Sequence, residues 1–382
     1  MNTNTLTIII CCSLGSFSSL WAEIEPAVVE TPVGTSENGG NWIDSIFGDG
    51  LHRFDVQAER LESDDIEISQ YSFQYELQQP IVNASLTLGY TDYDEQYQPA
   101  VIGSNAHLVE HSRSIQGLIG WKLSSKWNVD VTARFYDGFA SYRSIWIAEC
   151  YRQLFGLFPT YQSPDSKGQS YAVGVTYNYL SGHSVRLSGG YGRDTIAPGF
   201  SFGAGGLSRS RDTLYRKSST LRFEDVWTPW LKSEHLFNYV DVTNRSTRWG
   251  VRSTWHAALG NDWTLRLYAG YSEEKPDYEA EYGGLALEWE FAPGWYVAAD
   301  VAVYEDTGEI PNAGLVTTSA PGLETMQYGI GLRWVGERSS FRVYVAKYEN
   351  DYDALSASNQ FLSNLYQDRD WTMVQLSYTY QF

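Results

Sequence analysis

The sequence predicts an all-β fold: a transmembrane antiparallel up-and-down β-barrel of about 16 strands, with tight turns at one end and long loops at the other. Three observations carry this expectation. Apolar and polar residues alternate with the period of two that a half-apolar strand requires. The connections alternate between tight turns and mostly longer, polar stretches. Tryptophans flank the tight turns, while tyrosines gather where the long loops begin and end, as amphipathic rings do at the two surfaces of a bilayer.

Composition agrees. Of 382 residues, 43% are hydrophobic and 15% are aromatic, with 28 Tyr, 14 Trp and 16 Phe, and glycine is frequent at 34. Mean hydropathy is only −0.35. After residue 22, no apolar run reaches the roughly 20 residues that a membrane helix needs. A strand crosses with only every second residue apolar, so a membrane barrel is compatible with this low hydropathy. The net charge of −19 argues against nucleic acid as a partner, because phosphates call for a basic surface. Cys11 and Cys12 lie in the leader, which leaves Cys150 alone in the rest of the chain. That excludes an intramolecular disulfide or a cysteine metal site there, and no cofactor or metal is expected.

In chain order, residues 1–22 read as a signal peptide, with an apolar stretch from Leu6 to Leu20 and Ala22 as the last residue before cleavage. Residues 23–50 are polar, acidic and rich in Pro and Gly, a flexible lead-in. The barrel occupies 51–382. Phe54, Val56 and Ala58 share its first apolar face, followed by Tyr71, Phe73, Tyr75 and Leu77, then by Val82 to Tyr90. Ile115 to Trp121 turns at Ser124-Ser125 into Trp127 to Phe135. Tyr171 to Tyr179 turns at Ser181-Gly182 into Val185 to Tyr191. The segments 213–226 and 231–242 alternate less cleanly. Trp249 to Leu259 turns through Gly260-Asn261-Asp262 into Trp263 to Tyr271. Leu285 to Phe291 turns at Pro293-Gly294 into Trp295 to Val303, and Tyr328 to Trp334 turns at Gly336-Glu337 into Phe341 to Val345.

The long loops are expected at 92–112, 137–169, 192–212, 305–323 and 349–369. Trp121, Trp127, Trp227, Trp230, Trp263, Trp289, Trp295 and Trp334 make one expected aromatic girdle. Tyr90, Tyr93, Tyr136, Tyr191, Tyr271, Tyr304 and Tyr348 make the other.

The last strand is the most specific segment. Val374, Leu376, Tyr378, Tyr380 and Phe382 fall on one face, and Met373, Gln375, Ser377, Thr379 and Gln381 on the other. It ends on the carboxy-terminal aromatic. This strand resembles the terminal strand of porin-like outer-membrane β-barrels of Gram-negative bacteria. The resemblance implies an outer-membrane location, periplasmic termini and tight turns, and long outer loops. It implies lipids and lipopolysaccharide as surroundings and homotrimers as an assembly to test. Leu376, Tyr378, Tyr380 and Phe382 would be read by the barrel-assembly machinery.

Opposite parity gives the expected pore lining. Arg186, Arg216, Arg222, Arg248, Arg252 and Arg266 would form a basic wall, with Arg134 near the outer end of its strand. Asp55, Glu59, Glu76, Glu288, Glu290 and Asp300 would form a more acidic wall across from it. The competing structural reading is a lattice of cross-strand ion pairs. The loop 137–169 is the longest and least polar, and Ile147, Tyr151, Leu154 and Phe158 would share a helical face. Folded into the lumen, as the third loop is in trimeric porins, it would set Arg143, Glu149 and Arg152 at a constriction.

The six histidines show no spacing that brings a nucleophile and an orienting group together, so no enzyme is expected. The expected function is passive diffusion of small hydrophilic solutes, selected by pore size and lumen charge. The alternatives are export of an exopolysaccharide, with Tyr268, Tyr296 and Tyr344 stacking on sugars, and a closed structural or adhesive surface barrel.

Overall fold

The computed structural model describes residues 51–97, 106–139, 166–203, 206–243, 247–260, 262–275, 278–308, 321–353 and 367–382. The expected signal peptide and lead-in lie outside them. Sixteen strands run through the described residues. The first six are β1 (Leu51–Glu62), β2 (Ile66–Gln78), β3 (Val82–Tyr97), β4 (Ala106–Lys122), β5 (Trp127–Gly138) and β6 (Ser166–Leu180). Next come β7 (His183–Gly203), β8 (Gly206–Thr228), β9 (Leu231–Val242), β10 (Thr247–Leu259) and β11 (Trp263–Glu274). The last five are β12 (Tyr278–Ala292), β13 (Trp295–Asp306), β14 (Leu323–Val335), β15 (Ser339–Tyr352) and β16 (Arg369–Gln381). Each pairs antiparallel with its sequence neighbours, and β1 pairs with β16 to close the barrel.

Alternation sorts the two faces. Val173, Leu187, Phe237, Ile330 and Leu376 are exposed on the outer face, large apolar side chains that water would not tolerate as a continuous band. The expected tryptophans point outward at the tight-turn ends, and neighbours stack there: Trp263 and Trp289 lie 5.4 Å apart and nearly parallel. The tight turns need unusual backbone. Gly294 has φ +74°, and a side chain there would press on the Val335 carbonyl oxygen.

Three expectations are corrected. The tyrosine girdle is half right. Tyr90, Tyr191 and Tyr271 point outward, joined by Tyr71, Tyr171, Tyr215 and Tyr239. Tyr93 and Tyr348 are buried inside the barrel, and Tyr136 and Tyr304 share their parity. Position along a strand fixes height, but parity fixes the face, and these four have inward parity.

The loops expected at 92–112 and 192–212 are largely strand. β3 and β4 stay paired to Tyr97 and Ala106. β7 and β8 stay paired to Gly203 and Gly206, although β6 stops at the level of Thr195. Residues 196–203 therefore extend a two-stranded hairpin roughly 25 Å past the neighbouring strand, at about 3.3 Å per residue. The sequence loses its apolar outward residues where the bilayer ends, and pairing continues beyond that point.

The uneven segment around β8 and β9 has a cause too. Lys217 and Ser219 face outward, Leu236 and Val240 are buried inside, and a register shift falls between Val226 and Thr228.

The β1–β16 seam is fastened at both ends. At the periplasmic end the His52 and Phe382 backbones exchange hydrogen bonds of 3.1 and 3.0 Å, and their rings stack at 5.0 Å. At the outer end the Arg369 guanidinium donates to both Asp65 oxygens, at 2.9 and 2.8 Å. Burial alone would raise the Asp65 pKa, but the two hydrogen bonds and the charge of Arg369 hold it below the ordinary aspartate value. A depressed carboxylate stabilises the fold above its unfolded pKa, and that contribution vanishes as pH falls through the folded value. Asp65→Asn is therefore expected to lower the urea midpoint of the refolded barrel at pH 7. The difference from the parent should shrink as pH falls below the ordinary aspartate range, as the depressed carboxylate takes up its proton. An unchanged midpoint at pH 7 would remove the ion pair from the account of closure.

Candidate functional site

The site is the interior face of the barrel. Its arginines sit on neighbouring strands with their counter-ions. Arg186 on β7 reaches across β6 to Asp130 on β5 at 2.6 Å. Arg222 on β8 binds Glu224 at 2.8 Å and Glu234 on β9 at 2.6 Å, and Arg252 on β10 shares Glu234 at 3.3 Å. Arg248 pairs with Glu274 at 2.9 Å, and Arg216 lies 4.0 Å from Asp194. Arg266 stands over the Tyr268 ring at 5.6 Å. Arg134 lies on the same face, opposite Gln116 and Ser170.

Of the expected acidic wall, Asp55 and Glu288 have arginine partners, and the other four are held by neutral donors. Arg53 binds Asp55 at 2.9 Å, and Gln375 donates to Glu59 at 2.9 Å. Gln78 donates to Glu76 at 3.0 Å. Arg333 binds Glu288 at 2.5 Å, and Glu290 accepts from the Gly294 amide at 2.9 Å. Asp300 accepts from the Tyr344 hydroxyl at 2.9 Å and from Gln327 at 3.2 Å. Arg143, Glu149 and Arg152 lie outside the described residues.

Around the middle-strand arginines the interior is thus a lattice of ion pairs, and on the other strands the carboxylates are held by arginines and neutral donors together. The sequence reading missed Asp130, Asp194 and Glu274, which neutralise the arginine side. Their parity marks them as inward, so the signal was present. What one strand cannot show is that its neighbour brings the partner within reach.

Tyrosines complete the wall. Each of several rings lies over a glycine of the neighbouring strand. A Cβ on Gly284 would sit 2.6 Å from the Tyr268 ring, and one on Gly270 would strike the Tyr282 ring. Tyr136 covers Gly168 and Tyr344 covers Gly329 in the same manner. With no side chain beneath, a ring lies flat along the sheet. Of the three expected stacking tyrosines, Tyr344 is 3% exposed, while Tyr268 and Tyr296 are half-buried and each has an arginine over its ring.

A second feature was not anticipated. At the outer end, Leu61, Ile68, Tyr93, Leu108, Trp371 and Met373 form a buried apolar cluster on the inward face of β1–β4 and β16. Phe139 packs against it. Gly138, at φ +125°, turns the chain there, and the Ser112 hydroxyl donates to the Phe139 carbonyl at 3.1 Å. Met373 and Leu61 occupy inward positions, where a polar residue was the expectation.

Among the described residues no group of three or more His, Cys, Asp or Glu is placed to hold a metal. His107 hydrogen-bonds to Asp94 at 2.8 Å and His183 to Asp225 at 2.8 Å, each a local contact at a strand end.

Glu234 is shared by two arginines, so its neutralisation removes one ion pair from each, while Arg222 keeps Glu224. Glu234→Gln is expected to destabilise the barrel by about 1–3 kcal/mol in urea. Conductance of that variant in a salt gradient should shift toward anions. A shift toward cations would contradict the placement of Arg222 and Arg252 on the solute path.

No protein-family model matches the chain, and no curated protein matches it. Solved structures do. CdiB from Acinetobacter baumannii superposes with a TM-score of 0.51 at 9% identity, covering 86% of this chain. The chain spans 60% of the length of that CdiB structure. A bacterial polysaccharide outer membrane secretin gives 0.49 at 10% identity, covering 87% of this chain and 98% of the secretin. Pseudomonas aeruginosa OccK3 (OpdO) gives 0.47 at 10% identity, covering 89% and 98%. At these identities the likeness bears on the fold alone. The fold shared with the CdiB structure, the closed strand order and the exposed apolar band together make this chain a 16-strand β-barrel of the outer-membrane type.

Proposed function

We propose that the barrel is a passive channel for small hydrophilic solutes across the outer membrane. The observation that carries this reading is the way interior side chains lie along the wall. Tyr268 and Tyr282 rest on glycines of the facing strand, and the arginines reach sideways to carboxylates one or two strands away. A 16-strand wall is too wide for its own side chains to fill, and here they are held back from the axis as well. The lining is charged yet locally neutral, which suits polar solutes and excludes apolar ones. Diffusion through such a bore involves no catalytic step and no energy coupling. The constriction is assigned to Arg143, Glu149 and Arg152, because Gly138 and Phe139 lead the chain inward from β5.

Residues 23–382, refolded into a planar bilayer, should give a steady open conductance. Deleting residues 144–158 should raise it. A barrel that folds and inserts but stays closed would favour the structural or adhesive role. Gly270→Ala with Gly284→Ala supplies a finer test. The added methyl groups lift both tyrosines off the wall, and single-channel conductance should fall without loss of folding. Unchanged conductance in that double variant would separate these rings from the solute path.

A further inference from the structure

The outer rim carries its charge unevenly. Just above the apolar band, outward parity on β4, β6, β7 and β8 falls to Arg113, Lys167, Arg193 and Lys217, all exposed. Three of them stand directly across from an outward tyrosine: Arg113 from Tyr90, Arg193 from Tyr215, and Lys217 from Tyr191. These positions are therefore at headgroup height, where amphipathic rings settle. Asp137 lies opposite both Arg113 and Lys167, and Asp241 lies opposite Lys217, yet among the described residues none of the four cations is in an ion pair.

The remaining cations at the outer strand ends behave differently. Arg60 pairs with Glu62 and Glu67, Lys275 with Glu273, Lys347 with Glu349 and Asp370, and Arg369 with Asp65. On the far side of the barrel the rim is acidic. Carboxylates stand directly opposite one another there, Glu281 with Glu305, Glu305 with Glu324, and Glu324 with Asp351.

In a chain of net charge −19, four neighbouring cations that form no ion pair among the described residues mark a surface suited to an external anion. It lies beside acyl chains and beneath the loops, so the anion must belong to a lipid. We infer that the β4–β8 arc binds the phosphate groups of a phosphorylated glycolipid of the outer leaflet directly, without a bridging divalent cation. The chains of that lipid lie on Ile115, Val173 and Leu187, and its phosphates meet the two arginines and two lysines. The acidic arc across the barrel repels the same lipid unless divalent cations intervene. The lipid is thus held on one side of the barrel and merely tolerated on the other.

The test uses the folded barrel in detergent with EDTA present, titrated with bisphosphorylated lipid A or with the same lipid stripped of phosphate, and read by native mass spectrometry. Bound bisphosphorylated lipid should exceed the stripped form by about tenfold or more, because each cation near an anionic surface adds to the attraction. The quadruple variant Arg113→Gln, Lys167→Gln, Arg193→Gln, Lys217→Gln should lose that preference. Glu305→Gln with Glu324→Gln, on the acidic arc, should keep it. Retained heat-modifiable migration on gels certifies that each variant is folded. Equal binding of both lipids, a preference that vanishes in EDTA, or a quadruple variant that binds like the parent would each overturn the inference. None of these outcomes touches the channel reading, which conductance decides.

Discussion

Closure is the constraint on which everything else depends. In hydrocarbon there is no water to satisfy an open sheet edge, so every strand must have two neighbours. The pairing of β1 with β16 joins residues 53–62 to residues 372–381. Most of the chain must be in place before this contact forms. The seam accordingly has fastenings at both ends, the His52–Phe382 exchange at one and the Arg369–Asp65 fork at the other. Its middle is held by Gln375 against Glu59, on the inward face. The carboxy-terminal residue is thus a structural part of the closed sheet, stacked on His52 and on Phe54.

Once the barrel is closed, its interior faces a problem of its own. Charges turned inward must be solvated or paired, and an unpaired buried charge is expensive. The chain answers with pairs that run sideways, from β7 to β5, from β8 to β9, from β10 to β9 and from β14 to β12. Sideways pairing stiffens the sheet and keeps long side chains off the axis. Glycines do the same for the aromatics, because a ring that settles on a bare backbone projects no further than its own thickness. The outer-end cluster of Leu61, Ile68, Tyr93 and Met373 departs from this pattern, an apolar patch on the inward face.

Much of this was legible in the sequence. Strand number, handed down by alternating turns and loops, and the outward tryptophans both follow from local patterns. A parity count gave the inward arginines their face. The failures share one origin. Tyr93, Tyr136, Tyr304 and Tyr348 were grouped by height when parity assigned them to the interior. Residues 92–97 and 192–203 were given to loops because apolar signal ended, although strand pairing needs no apolar signal outside the bilayer. Asp130 and Asp194 were passed over because cross-strand partners are not local in sequence. Each error treats a two-dimensional sheet as a one-dimensional string.

The distribution of charge follows from the same geometry. Inside, Arg186, Arg222, Arg248 and Arg333 each have a carboxylate within 3 Å, so these pairs themselves add little net charge to the bore. The excess negative charge of the chain must then be carried largely elsewhere. Outward positions at the rim bear it in part, through Glu273, Glu279, Glu281, Glu305, Glu324 and Asp351. Carboxylates facing one another across strands cost stability in a protein without counter-ions. On a membrane barrel the cost falls, because the outer surface can recruit cations and the neighbouring glycolipids need them too. A chain can therefore pair its inward arginines and keep its rim acidic without conflict, because the two faces of the sheet meet different surroundings.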